Sequence, residues 1–354
     1  VHDIITIGSA TRDVFLISHA MHPHRAPDAL THIEACFPFG AKINIDQIHF
    51  DTGGGATNNA VTFARLGKFR VAPLTRVGAD SAGRDVLQAL KKDRVDTTLV
   101  QTAVHQQTAY STILSPGGEI GERTILVYRG ASEKFNAREI PWNKLRAKWF
   151  HITSLGGNMV LLKKLLAHAK KTGAPVAWNP GGLEIQNVKL KMKNVLNEAS
   201  FLIVNREEAA KLTGEKFANT KGLLRALAQL APAVLMTDGP QGAYAVVSKR
   251  LSDKEIKRLS QYKNLIAQSL NRSVAYYVPS AGHKPKNLTG AGDAFGSGFL
   301  TGWIKSRGDI KYALRLASFN ADSVVQHMGA KVGILKEYPL EKQLKKLSVK
   351  KINF

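Results

Sequence analysis

Apolar and polar positions along the chain alternate between two periods. Short runs rich in β-branched residues, "IITIG" (4–8), "RVAPLTRVG" (70–78), "WFHITSL" (149–155), "PVAWNP" (175–180), "SFLIVN" (200–205) and "AVLMTDG" (233–239), read as strands. Between them the apolar residues recur at helical spacing: Ala56 to Leu66, about Gly83 to Lys92, the stretch ending at Lys171, from Glu207 onward, and near 292–306 and 310–328. Strand, helix, strand predicts an α/β fold with a mainly parallel sheet covered on both faces. Ligands then bind at the carboxyl ends of the strands.

Two segments break the alternation. Residues 13–52 hold histidines, prolines and short strand-like pieces, and 105–130 hold "TAYSTILS", a "PGGE" turn and "RTILVYRG", which read as a hairpin. Together they predict a small sheet lying over the mouth of the site as a lid. Residues 249–275 read as a basic amphipathic helix. No internal repeat or low-complexity tract is present.

Composition adjusts this picture. The chain has 354 residues, 44% of them hydrophobic, enough for one large α/β domain or a main domain with an appendage. No run of about eighteen apolar residues occurs, and "VHDIITIGSA" reads as a strand rather than a signal peptide, so a cytoplasmic protein with no membrane partner is expected. The single cysteine, Cys36, excludes an internal disulfide and fits a small buried apolar position. Lys and Arg outnumber Asp and Glu by 50 to 27, a formal charge of +23. The basic residues fall mostly at helical spacing without interleaved aromatics, which favours solvated helix faces over a nucleic-acid surface. His19, His22 and His24 have metal-like spacing but no Cys or acidic cluster beside them, and read as a loop. Arg123 and Arg129 suit either a substrate phosphate or exposed strand positions.

The candidate chemistry lies in glycine clusters. "DTGGGATNNAV" (51–61) sets three glycines before a helix, where Asn58 or Asn59 can bond hydroxyls, though a plain loop explains it as well. "MTDGPQGAY" (236–244) is a strand, a glycine turn and a strand, the shape of a nucleotide-side loop and of any hairpin. "LIVNREEAAKLTG" (202–214) ends a strand at Asn205 and opens a helix with Glu207 and Glu208. It reads as an ordinary helix cap or as an Asn205–Glu208 pair that organises Mg²⁺ around phosphates. In "TGAGDAFGSGF" (289–299) the backbone N–H groups of Gly290, Ala291 and Gly292 at a helix start form an anion cradle. Asp293 beside that cradle would repel a phosphate unless it accepts the proton of an attacking hydroxyl. Neither a Walker A sequence nor G-x-G-x-x-G occurs.

"GGGATN", "NREE", "TDGPQG" and "TGAGDAFGSGF" stand in the order and spacing of the ribokinase-like, or PfkB, carbohydrate kinases, which the chain resembles over nearly its whole length. The resemblance implies one three-layer α/β kinase domain over 1–354, with a β-sheet lid from about 13–52 and 105–130. It implies transfer of the ATP γ-phosphate to a hydroxyl, with a sugar favoured over a nucleoside. Residue by residue, Asp293 resembles the general base and Gly290, Ala291 and Gly292 the anion hole. Asp13 resembles the acid that holds substrate hydroxyls, beside Gly54, Gly55 and Asn58. Asn205 and Glu208 resemble the motif that handles Mg²⁺ and phosphate, Thr237, Gly239 and Gly242 the ATP loop, and Asn320 a residue near the adenine. Asn287 stands where the family signature commonly has Asp, an oxygen ligand near a monovalent cation in ribokinases, so a cation is expected to be held weakly or not at all. The expected partner is a small sugar or nucleoside, with a homodimer allowed for. The alternative of another class is a nucleic-acid-binding or regulatory protein on a kinase scaffold, against which the intact Asp293 speaks.

Overall fold

The strand-forming runs place themselves side by side in the computed structural model, which describes residues 1–21, 23–25, 33–37, 40–116, 123–133, 135, 137–191, 193–248 and 273–354. In chain order the strands are β1 (His2–Ile7), β2 (Thr11–Ile17), β3 (Pro23–Arg25), β4 (Ile33–Ala35), β5 (Gln47–Gly53), β6 (Val71–Gly78), β7 (Val100–Ala103) and β8 (Ala109–Ser115). They continue as β9 (Thr124–Tyr128), β10 (Ala147–Ile152), β11 (Val176–Trp178), β12 (Phe201–Asn205), β13 (Ala233–Thr237), β14 (Ala243–Val247), β15 (Val274–Val278) and β16 (Lys350–Ile352). The main sheet has the order β16-β15-β14-β13-β12-β11-β10-β1-β6-β7. From β7 to β13 every pairing is parallel; β13, β14, β15 and β16 pair antiparallel.

Strand periodicity divides the core into two layers. Ile4, Phe201, Ile203 and Leu235 point into one, with Phe63, Val86, Phe299, Trp303 and Leu314 of the covering helices. Ile5, Ile7, Leu202, Val204 and Met236 point into the other, with Leu162, Leu212 and Leu223. Successive side chains of one strand thus feed opposite cores, which is why these strands read as continuous apolar runs. The architecture is three-layered.

The helix Ala291–Lys305 carries Ala291, Gly292 and Asp293 at its amino end, capped by Gly290, and is anchored at its far end. Phe201 meets Phe299 and Trp303 edge-on, with ring centroids 5.6 and 5.2 Å apart. Its glycines, which lower helix propensity, are a packing device. A Cβ at Gly302 would stand 2.8 Å from Ala313 Cα, so only glycine lets the helix Ile310–Val325 lie this close. That second helix ends three residues before the expected 328; the chain tightens there, with His327 N–H bonding the Val324 carbonyl at 3.1 Å, and the Val325 carbonyl accepts from the N–H groups of Lys286 and Asn287 at 2.7 and 3.0 Å.

Strands from the two irregular segments form a second sheet, β5-β2-β8-β9. β8 and β9 make the expected hairpin, and all five residues of β9 are exposed. Cys36 is exposed too, against the expectation of a buried position: it follows β4, which pairs only with β3 in a two-stranded ribbon. His19 pairs with Asp46 at 2.9 Å in an exposed loop, while His22 lies outside the described residues. Of the expected basic helix and insertion 249–275, residues 249–272 lie outside the described residues, and Val274 and Ala275 are not helical but belong to strand β15. Among the described residues no helix is long and apolar enough to cross a membrane.

Candidate functional site

The carboxyl ends of the parallel strands and the first turns of three helices converge on one region. The helix Gly55–Arg65 starts after Gly54, whose φ is 95° and where a Cβ would lie 2.5 Å from the Ser9 carbonyl oxygen; only glycine fits there. Asn58 and Asn59 sit in its first turns and reach across to the helix Ala291–Lys305. Asn58 Nδ2 donates to Asp293 Oδ2 and Asn59 Nδ2 to Asp293 Oδ1, both at 2.9 Å. One N–H of the Asn58 amide is therefore committed to Asp293. Its Oδ1 is buried without a partner, as is that of Asn59.

Burial pushes the Asp293 carboxyl up from its ordinary value, against the pull of both amides and of the Lys331 ammonium. Gly290 caps the same helix in the left-handed region at φ 82°, and a Cβ there would stand 2.5 Å from Ala330 Cβ. Of the three N–H groups assigned to the cradle, that of Ala291 already makes a long bond of 3.4 Å to the Leu288 carbonyl. Asn287 is buried, its Oδ1 accepting from Thr289 N–H at 3.0 Å while its Nδ2 has no partner. A buried N–H donor is a poor neighbour for a cation. The residues present therefore do not fit the monovalent-cation site that the resemblance implies.

Asp13 lies on β2 directly opposite Asp51 on β5. Burial raises its pKa, opposed by the Thr11 hydroxyl, which donates to Oδ1 at 2.7 Å, and by Lys331. Gly53 leaves room for this carboxylate, since a Cβ there would fall 2.0 Å from Asp13 Oδ2.

A cavity of about 580 Å³ opens on the other side of the Gly290 turn, lined by Thr237, Gly239, Gly242, Ala291, Gly292 and Asp322 among others. Gly239 and Gly242 have φ of 53° and 99°, so the turn between β13 and β14 needs both glycines. Asn320, expected near an adenine, is not among the lining residues. It is fully buried on the opposite face of its helix, Nδ2 donating to the Ala294 carbonyl at 2.8 Å and Oδ1 accepting from Leu335 N–H at 3.1 Å. Ser318, Ala321, Asp322 and Val325, at helical spacing, line the wall instead. Asp322 accepts from the N–H of His283 at 3.2 Å and pairs with its Nδ1 at 2.6 Å, fixing the loop over the cavity.

Asn205 and Glu208 form a reciprocal capping box, each side chain bonding the other's N–H at 2.8 Å. The ordinary cap is thus present, and Glu208 Oε2 is committed to it. Burial raises the Glu208 pKa, against the Asn205 N–H and assisted by Glu207. Among the described residues no group of three or more His, Cys, Asp or Glu side chains could hold a metal ion. That is compatible with Mg²⁺, which commonly arrives on a nucleotide and takes only one or two carboxylates.

Two residues of the site went unnoticed in the sequence. Arg206 makes a largely buried ion pair with Asp238 at 2.7 Å, tying the Thr237–Gly242 turn to the Asn205 cap. Asn205 and Thr237 are register partners on β12 and β13, so the residue after each meets the other; strand register could have found the pair. Lys331 is buried, its Nζ donating to the Thr52 carbonyl and hydroxyl at 2.5 and 2.8 Å. A lone lysine in a chain this basic carries no sequence signal. Arg129 is exposed, and Arg123 is half-buried.

A model of the pfkB family carbohydrate kinases matches residues 11–337. The chain belongs to this family. A ribokinase of Haemophilus influenzae is 25% identical over 288 residues, covering 80% of this chain and 83% of that protein. A cytidine kinase of Thermococcus kodakarensis is 27% identical over 303 residues, 81% of this chain and 95% of that protein. Among solved structures, an Arabidopsis thaliana ribokinase complexed with ribose and ATP superposes with a TM-score of 0.69, at 20% identity over 98% of both chains. The pfkB chain described here is a kinase of the sugar or nucleoside class, and kinases of this family use ATP.

Proposed function

We propose that this kinase moves the ATP γ-phosphate to a hydroxyl of a sugar or sugar derivative, with Asp293 as general base. One observation carries the reading. The Asp293 carboxylate is held by Asn58 and Asn59 on one side, and its own helix start, Ala291 and Gly292, lines the cavity on the other. A base so placed lies between an acceptor bound at Asp13, Gly54, Gly55 and the free Oδ1 of Asn58, and a nucleotide bound at Thr237, Gly239 and Gly242. Asp293 takes the hydroxyl proton as the acceptor oxygen bonds to the γ-phosphorus. The bond to the β-phosphate oxygen breaks, and ADP leaves. The N–H groups at Gly290, Ala291 and Gly292 carry the charge on the phosphoryl oxygens.

Glu208, whose Oε1 remains after Oε2 takes the Asn205 N–H, would hold Mg²⁺ through water together with Asn205. The metal neutralises phosphate charge when bound. The second sheet, from 13–52 and 105–130, serves as a cover that keeps water from competing as acceptor.

The test is a panel of sugars, sugar acids and nucleosides with ATP and Mg²⁺, read as ADP released and acceptor phosphorylated. A nucleoside acceptor is the second reading, favoured by the cytidine kinase among the relatives. Turnover confined to nucleosides would select it. No acceptor phosphorylated above the rate of ATP hydrolysis would overturn both readings and the covering role of the sheet.

A further inference from the structure

After the helix Ile310–Val325 the chain passes between the two halves of the proposed site. Ala330 packs against the Gly290 turn, and Gly329 lies so close to β5 that a Cβ on it would stand 1.9 Å from Asp51 Oδ2. Lys331 then buries its side chain and bonds Thr52 of β5 twice. Its carbonyl accepts from Arg65 Nη1 at 2.6 Å, and Arg65 is held in turn by both oxygens of Asp93 at 2.8 Å.

Two neutral oxygens of Thr52 do not explain why the chain buries an ammonium here, since an unpaired buried charge is costly. The surrounding acids do. Asp51 on β5 and Asp13 on β2 face each other across an antiparallel pair, where like charges repel. Asp93, beyond the helix Ser81–Lys92, and Asp293 complete the set of carboxylates whose field the ammonium feels. Arg65 is already paired with Asp93.

We propose that Lys331 is a positioning residue for phosphoryl transfer: its ammonium ties β5 to the turn bearing Gly290 and supplies the positive charge that Asp13, Asp51 and Asp293 share. This rests on the roles given above to Asp13 and Asp293. Burial pushes the Lys331 amine down to about 8, against Asp51, Asp13, Asp93 and Asp293. The charge is therefore largely present at pH 7 and is lost as pH rises through about 8, and kcat/KM falls with it.

The experiment is the pH profile of kcat/KM from 5.5 to 10 for the full chain, Lys331→Arg and Lys331→Met, using the best acceptor of the panel. Wild type should show an alkaline limb near pH 8. Lys331→Arg, charged throughout this range, should stay within about tenfold of wild type at pH 7 and lose the limb. Lys331→Met should lose the limb and fall about tenfold for each unit by which the acids then titrate above the assay pH. ATP dissociation constants should be unchanged, since Lys331 is not among the residues lining the nucleotide cavity. An alkaline limb kept near pH 8 by folded Lys331→Arg, or none in wild type, overturns the proposal even if Lys331→Met fails to fold. A wild-type chain that phosphorylates no acceptor overturns the kinase reading first and this one with it.

Discussion

Replacing Asp293 by Asn removes proton affinity and keeps shape. Both carboxylate oxygens accept from amide N–H₂ groups at 2.9 Å, so the new amide turns a donor toward a donor on one side. The repair is at hand. Asn58 and Asn59 each have a buried Oδ1 without a partner, and rotating one amide by half a turn presents that oxygen to the new N–H₂ group. The bond count is restored, and the net cost in stability should stay within about 1 kcal/mol, the worth of one hydrogen bond. The rate has no such repair. A positioned base contributes roughly 10²- to 10⁴-fold, so kcat should drop by about that factor, roughly 3–5 kcal/mol of barrier. The measurements are kcat by ADP release, ATP affinity by calorimetry and the unfolding midpoint, all on one preparation. Full activity would remove the acid from the mechanism. ATP binding lost together with activity would make Asp293 a structural cap.

Three further outcomes follow from the same geometry. Asn59→Ala removes an amide that holds the Asp293 pKa down, so the acidic limb of kcat/KM should move to higher pH; an unmoved limb would mean that another group sets it. Because Asn287 turns a buried donor inward, turnover should differ less than about twofold between K⁺-free and K⁺-containing buffer at equal ionic strength, and a tenfold activation would contradict that. Arg206→Ala leaves Asp238 buried and unpaired in the Thr237–Gly242 turn. It should destabilise the chain by about 3–5 kcal/mol and weaken ATP binding, and an unchanged melting profile would show the pair to be dispensable.

Much of the fold was legible because its strands are long apolar runs between strongly periodic helices. The position of Asp293 at a helix start could be read the same way, from small residues preceding an apolar stretch. What escaped depends on which face of an element is turned where. Asn320 and Asp322 are two positions apart on one helix, and the close packing of that helix on the helix Ala291–Lys305, through Gly298 and Gly302 against Ala317, Asn320 and Ala313, turns Asp322 and not Asn320 to the cavity. Asn58 faces Asp293 through a contact spanning 235 residues, which no local pattern encodes. Cys36 reads as a core residue by type and is exposed because it follows β4, which among the described residues pairs with β3 alone. Lys331 gains its setting from strands β2 and β5, far away in the chain.

The antiparallel end of the main sheet sets where this chain tolerates growth. β14 and β15 pair over five residues, Ala243 with Val278 at one end and Val247 with Val274 at the other. The Thr237–Gly242 turn adjoins the Ala243 end, whereas the chain between 247 and 274 leaves from the opposite end. Lengthening that connection from a short turn to more than twenty residues costs only about 1–2 kcal/mol of closure entropy, because the cost grows with the logarithm of length. Five ladder pairs separate it from Gly242. A change in the length or charge of residues 248–273 therefore enters the sheet at the end of the ladder away from the Thr237–Gly242 turn, and need not alter the shape of that turn.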